Sequence, residues 1–232
     1  SFTAFLSYVV VLIFPILTIG FLSSIVAQAS TSYKRIEEVL QAPDEQEDGT
    51  IIATLQRDIQ VDKVCAVFGE KSVLKDISFS IDQGTQTAII GPTAAGKSQL
   101  LNILAGLTVP QSGCVTYDDR PLADYQRDSF FRQVGLVFQD SVLFNASVRE
   151  NIAFSTLATD DDLRLAVETA ELTSFLSSLP QGLDTQVSER GTTLSGGQKQ
   201  RIMLARALAL NPRILFLDDF TARVDVLTEA KI

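Results

Sequence analysis

The run Gly91-Pro92-Thr93-Ala94-Ala95-Gly96-Lys97-Ser98 fits G-x-x-x-x-G-K-[ST], the spacing of a phosphate-binding loop. Upstream, Gln86 to Ile90 reads as a short buried strand. Downstream, Gln99 to Leu107 reads as a helix with Leu100, Leu101, Leu104 and Leu107 on one side. Glycines in such a loop let backbone N–H groups curl around an anion, and the helix N-terminus adds partial positive charge. Residues 91 to 99, ending at Gln99, then form the nucleotide cradle. Lys97 reaches the terminal phosphates, and the Ser98 hydroxyl is suited to Mg²⁺. Ala94 stands where many such loops carry a further glycine; if that position needs a positive φ, alanine costs about 1 kcal/mol there.

A second set of residues answers the first. Ile214-Leu215-Phe216-Leu217 is an apolar strand that ends in Asp218-Asp219. This is the Walker B pattern: Asp218 holds Mg²⁺ through water or Ser98, and Asp219 can orient and deprotonate an attacking water. Val134 to Phe138 is another apolar strand with Gln139 at its C-terminal end, where ligands bind in open α/β sheets. The Gln139 amide could touch the cation or the water, or simply occupy a surface turn. Phe68, at the end of an earlier strand, could stack on an adenine ring or belong to the core. Leu194-Ser195-Gly196-Gly197-Gln198 opens a helix running to about Leu210, with Ser195 as N-cap. Its two glycines make Ser195, Gly197 and Gln198 a candidate second anion site.

The elements that must hold these residues follow from composition and pattern. The chain has 232 residues, 46% of them hydrophobic, enough for one sizeable core and more. With 19 Lys+Arg against 28 Asp+Glu, its formal charge is −9, which argues against gripping nucleic acid. There is no histidine, so imidazole metal sites and Ser-His-Asp chemistry are excluded. Cys65 and Cys114 follow no metal-ligand spacing and read as free thiols. Phe2 to Val26 carries no charge, and Lys34 and Arg35 follow, the pattern of a membrane helix with its cytoplasmic end at the basic pair. We assign residues 1–33 to that helix, which continues through Tyr33 to Gln41. Residues 34–50 form a linker that turns acidic and Pro/Gly-containing after Gln41, and residues 51–232 the soluble domain.

Ile59, Val61 and Val64 to Phe68 read as the first strands, and Ile77, Phe79 and Ile81 alternate as another. Ser147 to Phe154 and Asp160 to Leu179 read as two helices, the second capped at Thr159 and ended by Pro180. Residues 140–192 are therefore expected to be a helical insertion in an α/β fold. The absence of an initial methionine and the charged run at the end point to a piece of a longer protein.

Taken together, the motifs resemble those of ATP-binding cassette (ABC) proteins. Leu194 to Gln198 is similar to the family signature, and the order of aromatic, Walker A, glutamine loop, signature and Walker B is the family's. Thr185 to Gly191 looks like the exporter x-loop, and a membrane helix leading into the cassette resembles exporter half-transporters. The resemblance implies a P-loop NTPase fold of the α/β class and an ATPase using ATP and Mg²⁺. It implies a catalytic set of Asp219, Lys97 and Gln139, with Ser98, Gln139 and Asp218 on the metal. It also implies head-to-tail pairing with a second half-transporter subunit, homo- or heterodimeric, so that Ser195 and Gly197 meet the partner's nucleotide. Phe68 would then be the adenine-stacking aromatic, and Asp225 the D-loop aspartate at the dimer interface. The implied location is a lipid bilayer, the bacterial plasma membrane, with the cassette in the cytoplasm. The transported substrate is read by other membrane helices and is not identified by this sequence. Asp219 departs from the family's usual Glu, and Ala222-Arg223-Val224-Asp225 from its usual D-loop. A degenerate regulatory cassette that gates a partner with little hydrolysis is the alternative these departures raise.

Overall fold

The structure is a computed structural model. It describes residues 2–41, 48–69, 71–154, 157–187, 194–222, 224–225, 228 and 230–231, with the Phe68 side chain outside the described set. The chain divides into two compact units, residues 1–47 and 48–232.

The first unit is α1, Phe2–Leu40, one continuous helix of 39 residues that keeps its course through Pro15. Its apolar side chains are exposed along the whole length, among them Phe2, Tyr8, Phe14, Ile19 and Val26. It is long and apolar enough to cross a membrane. At 1.5 Å per residue it measures about 58 Å, against the ~30 Å of a hydrocarbon core.

The second unit begins with an antiparallel sheet. Strands β1 (Ile59–Phe68), β2 (Lys71–Ile81), β3 (Ser112–Tyr117) and β4 (Arg120–Pro121) lie in the order β2-β1-β3-β4. Between β2 and β3 comes α2 (Lys97–Leu104). The inner sheet residues Val61, Val64, Leu74 and Val115 bury against Leu100, Ile103 and Leu104 of α2, with Phe130 of α3 (Arg127–Phe131). Tyr117 closes this core: its hydroxyl donates to the Leu104 carbonyl at the end of α2, and its ring meets Phe130 edge-on at 5.0 Å. Burial pushes the Tyr117 phenol well above its ordinary range, so it remains a donor.

Two parallel strands, β5 (Val134–Val137) and β6 (Ile214–Leu217), lie between two cores. Side chains alternate along a strand. Val134, Leu136, Ile214 and Phe216 accordingly face the first core, whereas Val137, Leu215 and Leu217 face a second. That second core is built by α4 (Val148–Ile152), α5 (Asp160–Thr169), α6 (Thr173–Ser177) and α7 (Gly196–Leu208). Gly135 permits the close approach of α7 to β5: a Cβ there would stand 2.8 Å from the Ala207 carbonyl oxygen.

Several expectations are corrected. Gln86 to Ile90 forms no ladder. Ile89 packs on the first core, but Ile90 is 92% exposed. No partner strand is hydrogen-bonded to this segment, so it has no ladder to hold both of its isoleucines. The stretch 160–179 is two helices, because Glu171 adopts φ +53 and breaks the first at Thr169. The α2 helix stops at Leu104, where Ala105 and Gly106 (φ +74) turn the chain, leaving Leu107 half exposed beyond its apolar face. Strands β3 and β4 and helix α3 were absent from the sequence reading.

Candidate functional site

The glycine-rich loop of residues 91–98 is shaped by its own residues. Gly96 is the N-cap of α2 at φ +91, and a Cβ there would come within 2.7 Å of Val73 Cγ1. Both the dihedral and the space therefore require glycine at this position. Ala94 adopts φ +64, the left-handed conformation that disfavours a Cβ. Lys97 opens α2, and its ammonium folds back across the loop, donating to the carbonyls of Gly91 at 2.8 Å and Pro92 at 3.0 Å. Ser98 follows in the first turn and is exposed.

One cleft gathers the main candidates. Thr93, Ala94, Ala95, Gly96, Lys97, Ser98 and Gln99 line it together with Gln139, Asp218 and Asp219. The walls are the segment 82–89 and the end of β6, so the parallel strands present Gln139 and Asp218-Asp219 at their C-terminal ends. Asp219 sits at φ +48 and is exposed. The Gln139 amide nitrogen donates to Asp219 Oδ2 at 3.2 Å.

The oxygens of Ser98, Asp218 and Gln139 are hard donors suited to Mg²⁺. Among the described residues no cluster of three or more acidic, His or Cys side chains is present to cage a metal. A cation here would therefore complete its shell with phosphate and water oxygens, as Mg²⁺ commonly does.

The glycine-rich segment after residue 193 is a capped helix start. Ser195 Oγ accepts from the Gln198 N–H at 3.2 Å, and the Ser195 N–H donates to Gln198 Oε1 at 2.9 Å. The Gln198 side chain is thereby committed to the cap, which engages the N–H of Gln198 and not those of Gly196 and Gly197. Ser195, Gly197 and Gln198 do not line the cleft. Residues 188–191 of the expected x-loop lie outside the described residues. Its first part is strapped to α4: Thr185 O accepts from the Val148 N–H at 3.0 Å, and the Val187 N–H donates to Ala146 O at 3.0 Å. Phe68 ends β1, and its side chain lies outside the described residues, as does Arg223 of the expected D-loop. Asp225 Oδ1 accepts from the Thr228 N–H at 3.0 Å, and hydrogen bonds from Thr228 hold its carboxyl below the usual carboxylate range.

Sequence reasoning missed Gln200. It is 1% exposed on α7, and its side-chain nitrogen lies 3.5 Å from the Asp219 carbonyl oxygen. An amide among the buried α7 residues Met203 and Leu204 was the available signal.

A G-x-x-x-x-G-K-S loop leading into a helix, a carboxylate pair after a parallel strand and helices before a serine-capped, glycine-rich helix start are the features of an ATP-binding cassette of the P-loop class. A family model described as ABC transporter matches residues 74–222, and the chain belongs to that family. It is 36% identical over 235 residues to the ABC transporter ATP-binding protein YknU of Bacillus subtilis, covering 99% of this chain and 40% of that protein. It is 32% identical to the ATP-dependent lipid A-core flippase of Desulfotalea psychrophila over 236 residues, covering 100% of this chain and 41% of the flippase. The structure of a bacterial Atm1-family ABC exporter with ATP bound superposes with a TM-score of 0.79 at 31% identity, covering 93% of this chain and 39% of that one. The chain thus spans about 40% of the length of these two proteins.

Proposed function

We propose that the chain is the ATP-binding and hydrolysing part of an ABC exporter subunit, working as a pair of half-transporters in a membrane. The observation that carries this is the convergence of Lys97, Ser98, Gln139, Asp218 and Asp219 on one cleft. Lys97 and the backbone amides of residues 94–98 neutralise phosphoryl charge, and this electrostatic positioning does most of the work in phosphoryl transfer. Ser98, Asp218 and Gln139 would hold Mg²⁺, which would supply positive charge to offset that of the phosphates. Asp219 takes the proton of the attacking water. Ser195 and Gly197 address the nucleotide of the paired cassette, Phe68 the adenine, and Asp225 the interface. The helix α1 lies in the bilayer, with the cassette on the cytoplasmic side. ATP closes the paired cassettes and hydrolysis reopens them.

The test is Lys97→Ala in the complete transporter. ATP-dependent transport is expected to vanish, together with ATPase activity, while the protein still reaches the membrane. Normal transport by that variant would remove the basis of this reading.

A further inference from the structure

An amide costs free energy to bury unless its N–H and C=O groups are hydrogen-bonded. Gln200 is buried on α7, and one contact of its amide reaches the segment after β6. Its Nε2 lies 3.5 Å from the main-chain carbonyl oxygen of Asp219. That carbonyl also accepts from the Ala222 N–H at 3.3 Å, but Ala222 belongs to the same turn and moves with it. Gln200 connects the turn to a separate element.

The carboxylate end of Asp219 has its own tether. Ionised, it can only accept, so the Gln139 side chain presents its amide nitrogen to Asp219 and its carbonyl oxygen remains for a cation. Asp219 is thus tied at both ends, by Gln139 at the carboxylate and by Gln200 at the backbone. The backbone tie matters because Asp219 occupies the left-handed region at φ +48, a conformation that a non-glycine residue keeps only when its surroundings hold it. Gln200 lies five residues beyond the Ser195 cap, about one and a half turns along the same helix.

We propose that Gln200 is a positioning residue for Asp219, through which the placement of α7 sets the aim of the carboxylate in this chain's own cleft. A shift of α7 at its capped end then changes the chemistry beside Asp218. The inference rests on the reading of Asp219 as the proton acceptor.

The experiment uses the complete transporter in lipid nanodiscs, with ATP as the probe. Gln200→Met keeps the side chain's length without a donor. Gln200→Asn keeps the amide but falls short of the carbonyl, and it decides the matter if the methionine variant does not fold. Misplacing a catalytic group by about 1 Å can cost ~10²-fold, so loss of one of two tethers is expected to lower kcat about tenfold. The KM for ATP should stay within about twofold, as for an interaction realised only in the transition state. The thermal midpoint should hold. In an Asp219→Ala background, read by single turnover, Gln200→Met should add no further loss. Unchanged kcat in the folded variants would overturn the proposal, as would parallel loss of kcat, KM and thermal midpoint, or an equal loss in the Asp219→Ala background. Lys97→Ala run beside them separates the two readings. If it abolishes hydrolysis while the Gln200 variants are normal, only the positioning role fails; if it leaves hydrolysis intact, the assignment of the cleft fails and this inference with it.

Discussion

Ala94 carries φ +64 inside the phosphate loop, where its Cβ opposes the backbone. Ala94→Gly is therefore expected to stabilise the folded domain by about 0.5 kcal/mol, the relief of left-handed strain exceeding the added freedom of the unfolded chain. Chemical denaturation of the two proteins checks the sign. Gly96 behaves oppositely: Gly96→Ala would drive a Cβ to within 2.7 Å of Val73 Cγ1 and should cost nucleotide binding and stability together. Asp219 raises a kinetic question, since it is one methylene shorter than glutamate. With its carboxylate already held by Gln139 at 3.2 Å, Asp219→Glu is expected to give no gain approaching 10²-fold in single-turnover hydrolysis. At this scale much of the candidate cleft was legible, because G-x-x-x-x-G-K-[ST] and the Asp pair each tie chemistry to local backbone. Gln200 was not, because its partner is the backbone of a residue 19 positions away.

The helical insertion depends on caps. Ser147 and Glu150 form a capping box at α4, and Thr159 and Asp162 form one at α5. In both, hydrogen bonds from the capping hydroxyl and backbone hold the carboxyl below its ordinary value of 4.5 for Glu150 and 3.8 for Asp162. A depressed carboxyl contributes stability above its unfolded pKa and loses it as pH falls through the folded one. Protection of the first-turn amides against exchange, taken relative to their intrinsic rates, should therefore fall below pH 4.5 in α4 and below pH 3.8 in α5, and Ser147→Ala or Thr159→Ala should flatten that dependence. The packing of α7 is sterically set. Gly135→Ala would place a Cβ 2.8 Å from the Ala207 carbonyl oxygen and should cost about 1–3 kcal/mol, seen as a lower thermal midpoint. Helices with caps were legible because the capping residues mark their own ends. Gln86 to Ile90 misled because an apolar pattern does not by itself place a segment in a sheet: only Ile89 is partly buried, Ile90 is exposed, and no neighbour supplies ladder hydrogen bonds. The β3 strand, Ser-Gly-Cys-Val-Thr-Tyr, hides behind a glycine at φ +80 that only its closeness to the Lys63 backbone explains.

For the whole molecule, α1 is expected to decide where the protein resides. Membranes washed in alkaline carbonate are expected to retain the chain, and a chain beginning at Asp48 is expected to appear in the supernatant. Retention of that shorter chain would show that α1 is not what anchors it. The apolar helix itself was readable from 25 uncharged residues, Phe2 to Val26. The helix running on unbroken through the basic pair to Leu40 was also expected, since no breaker follows Gly20 until Pro43. From Phe21 to Leu40 neither proline nor glycine interrupts the backbone, a rod of about 30 Å. Such a rod twists as one piece. If its apolar turns lie in lipid as proposed, any rotation imposed among them is expected to be carried to its far end, as by a drive shaft, instead of being absorbed by bending along the way.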